Sequence, residues 1–130
     1  MPAILLVEDH ATFASVLVRF LETTEDLEIT SVATSAESAL QQLPMQKFDL
    51  VLVDVSLPQM NGIQLVRLIH AQYPNLPCLM LSGHALVHYK DRALQAGARG
   101  YILKDNADSI IEGIRSVLQG KIYISSELDS

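Results

Sequence analysis

The sequence predicts an α/β fold, a doubly wound (βα)5 arrangement in which five parallel strands are covered by helices on both faces. Three observations carry that expectation. Short apolar runs recur along the chain, stretches with helical spacing separate them, and several runs are apolar on both faces, as strands sandwiched between helices must be. With 130 residues, 49% of them hydrophobic and 18% charged, the chain has the size and apolar content of one compact unit with its own core.

Strands are expected at 3–8, 29–33, 49–54, 77–82 and 100–103, the first, third and fourth being apolar on both faces and therefore central. Phe13, Val16, Leu17, Phe20 and Leu21 follow the i, i+3, i+4 spacing of one helical stripe and define helix one. Thr34 and Glu37 match a capping box ahead of Ala36, Ala39, Leu40 and Leu43, with Pro44 just beyond, giving helix two. Asn61 and Gly62 open helix three, which carries Leu65, Val66, Leu68 and Ile69 and ends before Pro74. Helix four, at 86–95, is weakly anchored, because Tyr89, Ala93 and Ala96 form a thin stripe among Lys90, Asp91 and Arg92. Ile110, Ile111, Ile114, Val117 and Leu118 define helix five, which Gly120 terminates. Residues 1–120 form the domain; 121–130 read as a tail or the start of a linker to a further domain.

The chemistry collects at strand ends. In an open parallel sheet, ligands bind beyond the carboxyl ends of the strands where strand order reverses; the flavodoxin-like order 2-1-3-4-5 puts that point between strands one and three. Glu8 and Asp9 end strand one, Asp54 ends strand three, Ser82 ends strand four and Lys104 follows strand five. Three neighbouring carboxylates repel one another and call for a cation, and Mg²⁺ suits an all-oxygen site completed by a phosphate. Asp54 can then attack phosphorus while the metal and Lys104 screen the transferred group and the Ser82 hydroxyl donates to one of its oxygens. Each residue alone has an ordinary reading: Glu8 and Asp9 as acids starting helix one, Lys104 as a solvated lysine, Ser82 as a turn hydroxyl. Asp54 resists it, since an acid ending the run 50–53 is costly unless paired or used.

The chain to about Gly120 resembles the response-regulator receiver family. The resemblance rests on the segments Leu5 to His10, Asp54 to Gly62, Leu81 to His84 and Gly97 to Lys104. It implies that Asp54 accepts a phosphoryl group from a histidine kinase, and that Asp9 and Asp54 bind Mg²⁺ with the Ser56 backbone carbonyl while Glu8 orients metal waters. It further implies that Lys104 holds the phosphoryl group. Ser82 and Tyr101 would act as the switch pair altering the helix 4/strand 5/helix 5 face, through which a homodimer can form. Ser56 and His84 occupy positions that tune the acyl-phosphate lifetime in the family. Glu8-Asp9 stands for the commoner pair of aspartates and Ser82 for the commoner threonine. The segments 97–104, 107–115 and 120–125 look like the subfamily followed by a LuxR-type helix-turn-helix domain, which implies transcriptional output; a stand-alone receiver is the alternative.

Other function classes fare worse. Nine basic against fifteen acidic residues give a formal net charge of -6, the wrong sign for direct nucleic-acid contact. No cationic leader or spanning apolar stretch occurs, and Cys78 lies inside an apolar run, so we expect a cytoplasmic, non-membrane protein with one buried thiol. His10, His70, His84 and His88 have no further spaced ligands to make a zinc site. A phosphohydrolase with an aspartyl nucleophile usually carries a second acid two residues on, where this chain has Ser56, so the domain is expected not to be an enzyme beyond its own phosphorylation and dephosphorylation. A flavin site needs a hydroxyl- and glycine-rich loop after strand one, where the acidic pair stands instead. A binding module without phosphotransfer would have no need of the five polar residues at the strand ends.

Overall fold

The computed structural model describes residues 1–83 and 87–125, apart from the side chains of Val87 and His88. His84 and residues 126–130 of the tail, which figure among the expectations above, lie outside the described residues. The elements run β1 (Ala3–Val7), α1 (Ala11–Glu22), β2 (Glu28–Ala33), α2 (Ala36–Gln42), β3 (Leu50–Asp54), α3 (Gly62–Gln72), β4 (Cys78–Ser82), α4 (Val87–Ala96), β5 (Gly100–Leu103), α5 (Ala107–Leu118) and β6 (Tyr123–Ile124). The sheet order is β2-β1-β3-β4-β5-β6 and every pairing is parallel. The expected order 2-1-3-4-5 is present, extended by a sixth strand.

Strand alternation sorts the core into two layers. Leu5, Val7, Val51, Val53, Met80, Tyr101 and Leu103 face α2, α3 and α4, whereas Ile4, Leu6, Leu50, Leu52, Leu79, Leu81 and Ile102 face α1 and α5. The strands β1, β3 and β4 are central as expected, and β5 joins them as an interior strand because β6 covers its outer edge. Cys78 is buried, and desolvation pushes its thiol up to about 12.

Three local expectations are corrected. The N-cap of α2 is Ser35, whose side chain accepts from the Ser38 N–H at 3.1 Å, not Thr34; this start turns Ala36 and Ala39 into the core. Val16 is 60% exposed, because α1 buries Ala14, Leu17 and Leu21 on a stripe turned away from it. Leu68 likewise faces out at 42% exposure, while Leu65, Val66 and Ile69 point in. The Asn61 cap is a full capping box, its side chain accepting from the Gln64 N–H and the Gln64 side chain from the Asn61 N–H. Helix α4 is held to the core through Ala93 and Ala96, with Tyr89 partly buried, as its thin stripe implied.

The sixth strand begins where α5 stops. Gly120 adopts φ +89, a left-handed conformation suited to glycine, and the bonds from Gly120 N–H to Val117 O and from Lys121 N–H to Ser116 O close a Schellman turn. The chain then lies along β5: Tyr123 N–H donates to Arg99 O and Ser125 N–H to Tyr101 O, both at 3.0 Å. The buried Ser125 hydroxyl accepts from Leu103 N–H at 3.1 Å. The face expected to comprise helix 4, strand 5 and helix 5 is thus completed by β6 rather than by a bare β5 edge.

Ser125→Ala leaves the Leu103 N–H buried without its acceptor, so the expected loss is about 1–3 kcal/mol in urea unfolding. Faster hydrogen exchange at the Leu103 amide should accompany it. For Cys78 the raised folded value gives stability that is complete below the unfolded value near 9 and is lost as pH climbs toward about 12. Unfolding measured at pH 8 and at about pH 10.5 should therefore show a larger loss in the wild type than in Cys78→Val.

Candidate functional site

The rim at the carboxyl ends of β1, β3, β4 and β5 gathers the polar residues named from the sequence. Glu8 follows β1 and is buried, while Asp9 beside it is exposed. These acids do not start α1: its first turn holds no acid and His10 is its N-cap, Nδ1 accepting from Phe13 N–H at 3.3 Å. Glu8 instead turns inward, where Oε2 accepts from His10 N–H at 3.1 Å and Oε1 lies 2.7 Å from Lys104 Nζ. Asp54 ends β3 at 4% exposure; Oδ1 accepts from Ser56 N–H at 3.2 Å and Oδ2 is 3.2 Å from the same ammonium. One carboxylate oxygen each from Glu8, Asp9 and Asp54 lie within 4.8 Å of one another.

Lys104 reaches this cluster because its backbone is tied to the next strand, its N–H donating to Ser82 O at 2.8 Å. Burial works against its charge, but the Glu8 and Asp54 carboxylates prevail and raise its pKa. Glu8 is raised first by burial and further by Asp54, with Lys104 opposing. Three carboxylates thus meet one ammonium, so the ionised cluster keeps a net negative charge that a hard divalent cation with oxygen ligands would neutralise. The donor set fits Mg²⁺.

Ser82 and Tyr101 are both fully buried on neighbouring strands, paired β4 to β5. The Tyr101 phenol is buried beside the Ser82 hydroxyl, and its pKa is raised chiefly by burial, with that hydroxyl opposing. The aromatic expected to turn inward on switching is therefore inside in this structure. Behind Asp54, the Gly62 N–H donates to Val55 O at 2.9 Å, and a Cβ on Gly62 would collide with the Asp54 carbonyl. This close approach seats the start of α3 under the Asp54 loop.

Sequence reasoning brought Glu8, Asp9, Asp54, Ser82 and Lys104 to one rim, and the structure places them there. It missed His10 as the cap that locks the Glu8 turn, and it took Phe13 only as a core residue. The Phe13 ring lies under the Lys104 ammonium, 4.7 Å from Nζ to centroid. The aromatic side chain four positions after Asp9, on the first turn of a helix leaving the acidic rim, was the available signal.

A family model described as the response regulator receiver domain matches residues 4–115. The chain belongs to that family. The transcriptional regulatory protein DegU of Brevibacillus brevis is 32% identical over 122 residues, covering 93% of this receiver and 52% of the relative. The response regulator UvrY of Escherichia coli is 31% identical over 126 residues, covering 96% and 58%. The receiver thus spans a little over half the length of these curated relatives. A crystal structure of a LuxR-family two-component response regulator from Aurantimonas superposes with a TM-score of 0.94 at 25% identity, covering 98% of this chain and 92% of that one. Among the described residues no helix is long and apolar enough to cross a membrane.

Gly62→Ala should force the Asp54 backbone and the α3 start apart, at a cost of about 1–3 kcal/mol in urea unfolding. Its clearest mark should be a shift of the Val55 and Ser56 amide resonances, with the far-side residues of β2 unmoved.

Proposed function

We propose that this receiver accepts a phosphoryl group on Asp54. The supporting observation is the position of that carboxylate, buried at a strand end, facing Lys104 and within reach of two further carboxylates. A histidine kinase is the natural donor. An Asp54 oxygen attacks phosphorus, the new O–P bond forms as the phosphohistidine N–P bond breaks, and the imidazole leaves with that electron pair and takes a proton. Hydrolysis of the mixed anhydride returns Asp54 and inorganic phosphate, so the domain turns over only its own phosphoryl group.

Glu8, Asp9 and Asp54, with the Ser56 backbone carbonyl, would hold Mg²⁺, which when bound neutralises charge on the phosphoryl oxygens. Lys104 follows that charge as it moves from Asp54 to the phosphoryl oxygens, and the Ser82 hydroxyl supplies a hydrogen-bond donor on the β4 side. Drawing Ser82 toward the phosphoryl group removes it from the Tyr101 phenol, so the event at Asp54 reaches a side chain packed in the same layer as Ala93 and Ala96 of α4. Helix α4, whose apolar anchors among the described side chains are Ala93, Ala96 and the partly buried Tyr89, is suited to two arrangements of similar energy. The lifetime of the phosphorylated state would be set by Ser56 and His84, which stand two positions after Asp54 and two after Ser82 in the sequence. We assign the output to a contact, including a possible homodimer, on the face made by α4, β5 with β6, and α5. In a longer cytoplasmic protein that contact would control transcription, the function named for DegU.

Incubation with acetyl phosphate and Mg²⁺ should add one phosphoryl mass to the intact wild-type chain and none to Asp54→Ala or to a sample without metal. An unmodified wild type under every donor and metal condition would refute the assignment.

A further inference from the structure

We infer that Phe13 is a positioning residue for Lys104, its aromatic face fixing where the ammonium sits while the phosphoryl group is transferred. The inference rests on Asp54 being the phosphoacceptor. It comes from the surroundings of Nζ: Glu8 lies at 2.7 Å and Asp54 at 3.2 Å, and the ammonium stands over the Phe13 ring, 4.7 Å from its centroid. That separation is inside the range of about 6 Å over which a ring quadrupole attracts a cation. The Lys104 side chain is 21% exposed, so much of the competing water is already excluded.

The ring is itself held. Its backbone N–H is bonded to His10 Nδ1 at the start of α1, and its side chain packs against the layer containing Leu6, Leu81 and Ile102. Phe13 and Lys104 also share a concavity of about 330 Å³ with Ser82, Gly83, Leu103 and Asp105.

The need for such a support follows from the chemistry. Once an Asp54 oxygen is bonded to phosphorus, the carboxylate charge is gone and negative charge stands on phosphoryl oxygens further from the strand. A lysine ammonium on a four-carbon stem must move with it, and the exposed Asp9 and solvent compete for it. A carboxylate or carbonyl placed behind the ammonium would hold it back through a hydrogen bond. An aromatic face attracts the cation without accepting such a bond, so it restricts the search while leaving the donors free for the phosphoryl group. An aliphatic side chain would fill the volume and lack the attraction.

The test replaces Phe13 in the full chain by mono-, di- and trifluorinated phenylalanine, which keep shape and apolarity while progressively weakening the ring's negative face. At saturating Mg²⁺ the rate of Asp54 phosphorylation by acetyl phosphate should fall stepwise with each fluorine, by about tenfold over the series. The Mg²⁺ dissociation constant, read by calorimetric titration, should stay unchanged, and Phe13→Tyr should hold the wild-type rate while Phe13→Leu loses it. Wild-type rates throughout the fluorinated series overturn the inference and leave the phosphoacceptor assignment standing. A drop in Phe13→Leu with no fluorine trend also overturns it, since volume alone would then be at work. A wild-type chain that takes up no phosphoryl group removes both.

Discussion

The Lys104 ammonium is the group that lets two carboxylates end buried at the rim of a parallel sheet. Glu8 and Asp54 are almost without solvent, and a carboxylate so placed costs several kcal/mol unless it is paired. Lys104 stands within 3.2 Å of both, and its raised pKa together with that of Glu8 records the two sides of the same balance. One positive charge against three carboxylates leaves the balance incomplete. The site is in this sense built short of a cation, and that shortage is what would let it answer to the metal and the phosphoryl group proposed for it.

That arrangement depends on parallel strands, which all deliver their carboxyl ends to one rim. Residues far apart in the chain, Glu8 and Lys104, become neighbours through β1, β3, β4 and β5, and each side chain is aimed by an ordinary backbone bond: Glu8 by the His10 N–H, Asp54 by the Ser56 N–H, Lys104 by the Ser82 carbonyl. The glycine at 62 completes the frame by letting α3 start against the Asp54 carbonyl.

How much of this was legible follows from the physics of each signal. Apolar runs of β3 and β4 read clearly because both faces are buried, and Asp54 read clearly because an acid at the end of such a run has an evident cost. Lys104 and Ser82 carried no signal singly; they became visible only as strand-end residues. Ser35 and Thr34 both offer a cap hydroxyl, and choosing between them requires knowing which start buries Ala36 and Ala39. Val16 and Leu68 fit an apolar spacing yet face outward, since periodicity fixes a stripe only to within about one position. Strand β6 has two residues, too short for any alternation, and Ser125 is buried by a pairing that no local pattern announces.

That short sixth strand also changes what this end of the sheet offers to another chain. A sheet edge with free N–H and C=O groups is a template on which another chain can extend the sheet, and the outer edge of β5, close to the rim, would have been such a template. With Tyr123 to Ser125 bonded along it, that edge is covered, and among the described residues the outermost strand at this end is the two-residue β6. A contact through side chains of α4 and α5, the face proposed for output, would be made and undone without exchanging a ladder of backbone bonds.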